Sequence, residues 1–337
     1  MKRFSLWFCL IALVATVLTG CGSSPSSTDS SSSSTGGTSS NAENSSSSKS
    51  PKVAVVLKTL SNPFWVSMKE GIEAEAQKQG VTVDIFAASA EDDLQGQLKL
   101  FEDLLNKDYQ GIAVAPLSPV NLIPAIVEAN KKGIYVVNID EKIDMNELKN
   151  AGGYVYAFVT TDNEKVGAKG AKAIIEKLGA AGGEVAIVEG KAGNASGEAR
   201  KTGAEKAFTS NPAIKLVASQ PADWDRSKAL DVTTNLLQRF PNLKAIYCAN
   251  DTMALGALQA VENAGKGGQV LVVGTDGTPE AVQSVKDGKL FATVAQDPAQ
   301  IGATSLQKLL EAVKQNVQLT KESEPVFVAV DSNLITK

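Results

Sequence analysis

An α/β fold of two lobes, each a parallel sheet covered by helices, is predicted by three observations. From Val53 onward, short β-branched runs alternate with helical patterns of spaced apolar residues almost to the end of the chain. Strands alternating with helices form βαβ units, which have parallel strands and right-handed crossovers. About ten such units are too many for one comfortable sheet, and the length of 337 residues also suggests about two domains. Finally, Asp, Asn or Gln directly follows many of the apolar runs, at the strand ends beyond which open α/β sheets bind ligands.

The first strand is Val53–Leu57, a β-branched run fit for burial on both faces. The turn after it reads Lys58-Thr-Leu-Ser-Asn-Pro-Phe-Trp65, and the helix that follows places Met68, Ile72 and Ala76 on one face. Pro63 falls early in that helix, where a missing N–H costs little. Lys58, Asn62, Phe64 and Trp65 thus bring donors, an acceptor and two aromatic faces to a sheet's carboxyl end. Read simply as structure, Phe64 and Trp65 would be core aromatics. Further strands are expected over Thr82–Ala87, Gly111–Ala115, Ile134–Asp140, Val155–Asp162, Glu184–Glu189, Ile214–Ser219, Ala245–Ala249, Val270–Gly274, Ala292–Ala295 and Val326–Val330. Helices are expected between them, over Asp93–Asn106, Val120–Lys131, Val166–Leu178, Glu198–Thr209, Arg226–Gln238, Thr252–Asn263, Glu280–Asp287 and Ala299–Lys314, with Asp144–Tyr154 irregular. Asp140, Asp162, Asn250, Asp251, Asp276, Gln296 and Asp297 each sit at a strand end. Any one of them can be a helix cap or turn former; as a set they line the rim where two sheets would face each other.

The chain contains no histidine. That removes Ser-His and Cys-His dyads and every histidine-containing zinc motif. The formal charge of -4 argues against a nucleic-acid partner, which usually needs a basic face. Lys2 and Arg3 precede the apolar run Phe4–Leu18, which contains Cys9 and reads as the core of a signal peptide over residues 1–20. Leu18-Thr-Gly-Cys21 ends that run and looks like a bacterial lipobox, so Cys21 is expected to be lipidated. Residues 21–51 are mostly serine, with too few apolar side chains to offset the entropy of ordering, and read as a disordered tether. Such a coil reaches roughly 30 Å. Cys248, inside an apolar run, is expected to be buried, and no intramolecular disulfide is expected.

Gly190-Lys-Ala-Gly-Asn-Ala-Ser-Gly197 follows a strand and opens a helix, but its spacing matches neither a dinucleotide fingerprint nor a phosphate loop. It is better read as a glycine turn that brings backbone and Arg200 close to another group. Trp224, in Ala-Asp-Trp-Asp-Arg, stands in a polar strand-end setting that suits stacking on a sugar ring; otherwise it would pack between domains. No pair of carboxylates is specified at a glycosidase separation, and no calcium loop or cysteine-based zinc pattern occurs. Neither a cofactor nor a metal is expected.

Four segments carry a family resemblance: Lys58–Trp65, Pro221-Ala-Asp-Trp-Asp-Arg226, Asn250-Asp-Thr-Met-Ala-Leu-Gly256 and Val273-Gly-Thr-Asp-Gly-Thr-Pro279. Together they resemble the ribose-type (type I) solute-binding proteins of ABC transporters. Asn138–Met145 and Glu189–Arg200 resemble most closely the members that take D-allose. The resemblance spans nearly all of residues 52–337. It implies two Rossmann-like lobes joined by three crossovers, near Thr160, Gln296 and Glu324. The lobes would then comprise 52–159 plus 297–323 and 160–296 plus 324–337.

Residue by residue, the ribose-type pocket carries over to Asn62, Phe64, Trp65, Asp140, Arg200, Trp224, Asn250, Asp276 and Gln296, and Lys58 joins them. The sequence departs from the ribose binder in several places. Lys58 replaces a serine, Trp65 and Trp224 replace phenylalanines, Glu141 replaces an arginine, and a pocket asparagine falls near Ala115. These departures disfavour ribose and agree with the allose-type pattern. The resemblance implies a monomeric, non-enzymatic binder of a neutral monosaccharide, D-allose first. It would be tethered at the outer face of the cytoplasmic membrane and deliver sugar to an ABC permease. Two other classes share the fold or the ligand. A sugar-responsive transcription regulator would need an N-terminal helix-turn-helix where this chain has a lipobox, and a carbohydrate enzyme would not return its sugar unchanged.

Overall fold

The computed structural model describes residues 50–337. The signal-peptide run, Cys21 and all but the last residues of the serine tether lie outside the described residues. The described residues, 50–337, form one compact unit. Its first part runs β1 (Val53–Leu57), α1 (Pro63–Gln79), β2 (Val83–Ala87), α2 (Leu94–Leu104), β3 (Gly111–Val114), α3 (Ile123–Lys131), β4 (Tyr135–Ile139), α4 (Met145–Asn150) and β5 (Ala157–Thr161). Next come α5 (Asn163–Leu178), β6 (Gly183–Glu189), α6 (Ala195–Thr209), β7 (Ile214–Pro221), α7 (Arg226–Arg239) and β8 (Leu243–Cys248). The chain closes with α8 (Asp251–Asn263), β9 (Leu271–Asp276), α9 (Pro279–Lys286), β10 (Ala292–Ala295), α10 (Pro298–Gln315), β11 (Val326–Val330) and β12 (Asn333–Thr336).

Two six-stranded sheets result, in the orders β11-β5-β4-β3-β1-β2 and β12-β10-β9-β8-β6-β7. Every pairing is parallel except β10 with β12 at an edge. The two-lobed α/β expectation is met. The strand alternation explains how one short run serves two cores. Val53, Val55 and Leu57 of β1 enter the core under α1 and α10, while Ala54 and Val56 enter the core on the opposite face with Phe101 and Ile126. In the second lobe Val185 and Ile187 point into one core and Ala186 and Val188 into the other. Because both faces are covered, the central strands read as continuous apolar runs. Cys248, on β8, is buried and free.

The connections depart from the expected boundaries. All of β5, through Thr161, lies in the first sheet, so the first crossing falls at Asp162 rather than at Thr160. Gln296 follows β10 in the second sheet, and α10 packs into the first-lobe core, so the chain passes between the sheets a second time between β10 and α10. The third crossing is corrected. Segment 324–337 does not belong wholly to the second lobe, because β11 pairs with β5, Val326 opposite Ala157, and only β12 joins the second sheet. The crossing therefore lies at Asp331–Ser332, where the Lys169 ammonium holds the Ser332 hydroxyl at 3.1 Å. The stretch 144–154 also contains α4, capped by the Asp144 side chain, which accepts from the backbone N–H groups of Asn146 and Glu147. Only Leu148 of that helix is buried, so it shows no apolar periodicity.

Candidate functional site

The carboxyl ends of the two sheets meet at a cavity lined by polar and aromatic side chains of both lobes. Lys58, Asn62, Phe64, Trp65 and Asp140 line it from the first lobe, and Arg200, Trp224, Asn250 and Asp276 from the second. Gln296 is placed just behind the lining, where its Nε2 donates to Asp276 Oδ1 at 2.7 Å.

On the first-lobe side, Asn62 caps α1, accepting from Phe64 N–H at 3.1 Å and leaving its Nδ2 amino group without a partner among the described residues. The Phe64 and Trp65 rings meet edge to face, 4.9 Å between centroids. The Trp65 indole N–H donates to Glu91 Oε1 at 2.8 Å. Lys58 Nζ lies 5.5 Å from the Trp65 ring centroid and 3.3 Å from Glu141 Oε2. Burial works against the Lys58 charge, but Glu141, Glu91 and Asp140 outweigh it and raise its pKa, so the ammonium stays protonated.

Asp140 follows β4 with φ of 56°, a left-handed conformation that Asp tolerates better than most residues. The surrounding strands over-determine it. Its N–H donates to Val159 O at 2.7 Å, and its own carbonyl accepts from the Thr160 hydroxyl at 2.8 Å. Its carboxylate Oδ1 is buried and has no hydrogen-bond partner among the described residues. Burial pushes the Asp140 pKa up to about 6, although Lys58 and Arg200 pull it down. A buried acceptor left unpaired costs about 1–3 kcal/mol, so this oxygen is poised for a donor from outside the chain.

The second-lobe residues are held as firmly. Arg200 is carried by α6, which lies so close to α5 that a Cβ at Gly167 would sit 1.8 Å from the Arg200 carbonyl oxygen. Arg200 Nε donates to Asn163 Oδ1 and its Nη1 to Ala249 O, each at 2.8 Å, with Asp276 Oδ1 3.5 Å from Nη1. These bonds fix the guanidinium plane and leave Nη2 without a hydrogen-bond partner among the described residues. Trp224 has φ of 66° and its ring lies 5.8 Å from the guanidinium carbon. The ring lies against Gly190, where a Cβ would come within 2.1 Å of it. The glycine turn at 190–197 thus serves as the seat of an aromatic ring. Asn250 caps α8, accepting from Met253 N–H at 2.8 Å. Behind the lining, Asp251 accepts from Thr278 N–H at 2.7 Å and from the Thr293 hydroxyl at 2.7 Å. Burial raises the pKa values of both acids; the Asp276 charge adds to the rise at Asp251, while Arg200 works against the rise at Asp276.

Of the other strand-end acids, Asp162 and Asp297 are helix caps, accepting from Lys165 N–H and Gln300 N–H. Three lining residues were not anticipated: Glu91, Asn194 and Ser196. Glu91 belongs to the connection after β2, whose acidic run looks like an ordinary solvated turn. Asn194 caps α6, accepting from Gly197 N–H at 3.0 Å, and nothing local marks it as more than a cap.

A two-lobed α/β body with a polar and aromatic cavity between the sheet ends defines a solute-binding protein. The model for the periplasmic binding protein domain matches residues 53–316, and the chain belongs to that family. The D-allose-binding periplasmic protein of Escherichia coli K12 is 67% identical over 284 residues, covering 84% of this chain and 91% of that protein. A ribose import binding protein of Bacillus subtilis is 39% identical, covering 74% and 77% of the two chains. Among solved structures, a periplasmic solute-binding protein of an ABC transporter from Actinobacillus succinogenes, with bound D-allose, superposes with a TM-score of 0.79. It is 38% identical and covers 85% of this chain and 97% of its own.

Proposed function

We propose that this protein is the extracytoplasmic binding subunit of an ABC sugar importer and that its ligand is a neutral monosaccharide, D-allose before others. The observation that carries the reading is the cavity itself. Two indoles from different lobes, the unpartnered Asp140 Oδ1 and the Arg200 guanidinium converge on one cavity. Trp65 and Trp224 would take the apolar C–H faces of a pyranose from opposite sides. Asp140 and Asp276 would accept from hydroxyls, and Lys58, Arg200, Asn62 and Asn250 would donate to them. The cations Lys58 and Arg200 are already balanced by Glu141 and Asp276, so an uncharged sugar suits the site better than a sugar phosphate. The similarity to proteins that bind D-allose supports the same choice.

Because the ligand groups come from both lobes, sugar would bind one lobe first and select the closed form by its added contacts. Nothing in this cycle alters the sugar, and no cofactor or enzymatic step is invoked. The protein would work as a monomer, handing sugar to the permease from the outer membrane face, where the lipid on Cys21 tethers it. Calorimetric titration with D-allose, D-ribose, D-psicose and D-glucose tests the ligand assignment. D-Allose should bind most tightly, since an epimer leaves a buried Asp or Arg short of a partner at about 1–3 kcal/mol per group. Tighter binding of D-ribose would overturn the choice of sugar while leaving the transport role in place. For the tether, Cys21→Ala should release the protein into the medium or leave an unprocessed precursor; unchanged membrane retention would refute it.

A further inference from the structure

Glu141 is a fully buried charged group beside the cavity, at 0% exposure, yet it does not line it. It follows β4 and belongs to the first lobe. Its carboxylate, however, is bonded almost entirely to the second. Asn194 Nδ2 donates to Oε2 at 2.7 Å, and the Ser196 hydroxyl at 2.6 Å. Ser196 N–H adds a weaker contact at 3.4 Å, and Ala195 N–H donates to Oε1. Among the described residues, its one first-lobe partner is the Lys58 ammonium, 3.3 Å away. The backbone donors are the first N–H groups of α6, a helix of 15 residues. Asn194 spends its own side-chain oxygen on Gly197 N–H, so it cannot serve them. A carboxylate there is favoured both by the unpaired N–H groups and by the helix dipole.

We propose that Glu141 is a closure latch: a carboxylate carried by one lobe that docks on a helix N-terminus of the other only when the cleft is shut, retaining the sugar without touching it. This rests on the sugar-binding reading of the cavity. When the lobes separate, Glu141 keeps Lys58 and must take water in place of its second-lobe donors. The latch therefore adds nothing to the encounter with an open cleft, and acts on reopening. It also links closure to the site, because the same carboxylate pairs with the Lys58 ammonium beneath the Trp65 ring.

The test separates association from dissociation. In Glu141→Gln the charge is lost and an amino group is turned on backbone donors, with the length of the side chain unchanged. Stopped-flow tryptophan fluorescence with D-allose should show dissociation faster by about 10-fold or more, as expected for losing charge-assisted bonds, and association within about 2-fold of wild type. An unchanged dissociation rate overturns the proposal. So does a slower association with dissociation unchanged, which would place the action of Glu141 in the open cleft through Lys58. If Glu141→Gln does not fold, Glu141→Asp, which keeps the charge but draws it back from α6, is read by the same criteria. If the wild type binds none of the sugars, the sugar reading fails, and the latch is then judged on ligand-free protein. Pulsed electron–electron resonance between spin labels on the two lobes should show a longer interlobe distance in Glu141→Gln; identical distributions overturn it.

Discussion

Asp140→Asn should make the ligand-free protein more stable and the binding protein worse. Asn is nearly isosteric and tolerates the left-handed backbone at φ of 56°, so the replacement removes charge with little change of shape. In the folded protein the Asp140 pKa is raised from 3.8 to about 6, chiefly by burial. A group raised in this way favours the folded state below its unfolded pKa and loses that contribution as pH climbs through the folded value. At pH 7 the ionised carboxylate therefore costs about 3 kcal/mol relative to its protonated form, taking about 1.4 kcal/mol per pKa unit. The Asn variant carries no such charge. Its denaturant stability without sugar should exceed that of the wild type at pH 7 by up to about 3 kcal/mol, with the gap closing near pH 4. Sugar binding should move the other way. Loss of a charge-assisted acceptor weakens it by about 1.5–3 kcal/mol, or roughly 10- to 150-fold. Wild-type affinity should itself fall as pH drops through about 6, where Asp140 takes up a proton. Urea titrations at pH 4 and 7 and calorimetry at pH 7 supply both readouts. An Asn variant no more stable than wild type at pH 7, with affinity unchanged, would refute the account of Asp140 as a strained, ligand-directed acceptor.

Gly190→Ala should drive the Trp224 ring from its seat, because the added methyl would stand 2.1 Å from a ring carbon. Fluorescence titration should show sugar affinity reduced by at least about 1 kcal/mol, the scale of a lost aromatic contact, and wild-type affinity would count against the seating role. Trp224→Ala should weaken D-allose by at least that amount in calorimetry, while leaving the fold intact by circular dichroism. Small-angle scattering should show a smaller radius of gyration at saturating sugar than without it; identical curves at demonstrated saturation would exclude hinge closure.

Much of this protein follows from local sequence. The run at β1 and the centres of β6 (Val185–Val188) and β8 (Ala245–Cys248) are apolar because both sheet faces are covered, so their strand character shows without any tertiary information. The turn Lys58–Trp65 and the polar residues after the strands announce a ligand rim, because a βαβ sheet presents those positions together whatever its partners. Other features depend on contacts between segments far apart in the chain. Whether β11 joins the first sheet or the second turns on its pairing with β5, some 170 residues earlier, and nothing within Val326–Val330 encodes that choice. Asn250 and Asp162 look alike as capping residues, yet only Asn250 lines the cavity, since the facing lobe decides which caps meet a ligand. Glu141 is the clearest case. Its sequence neighbours are an apolar strand and a surface turn, and its charge is tolerable in the interior only because Lys58 and the start of α6 arrive beside it. Local propensity can set the period of a strand and the end of a helix. Only the closed tertiary structure can supply partners to a buried charge.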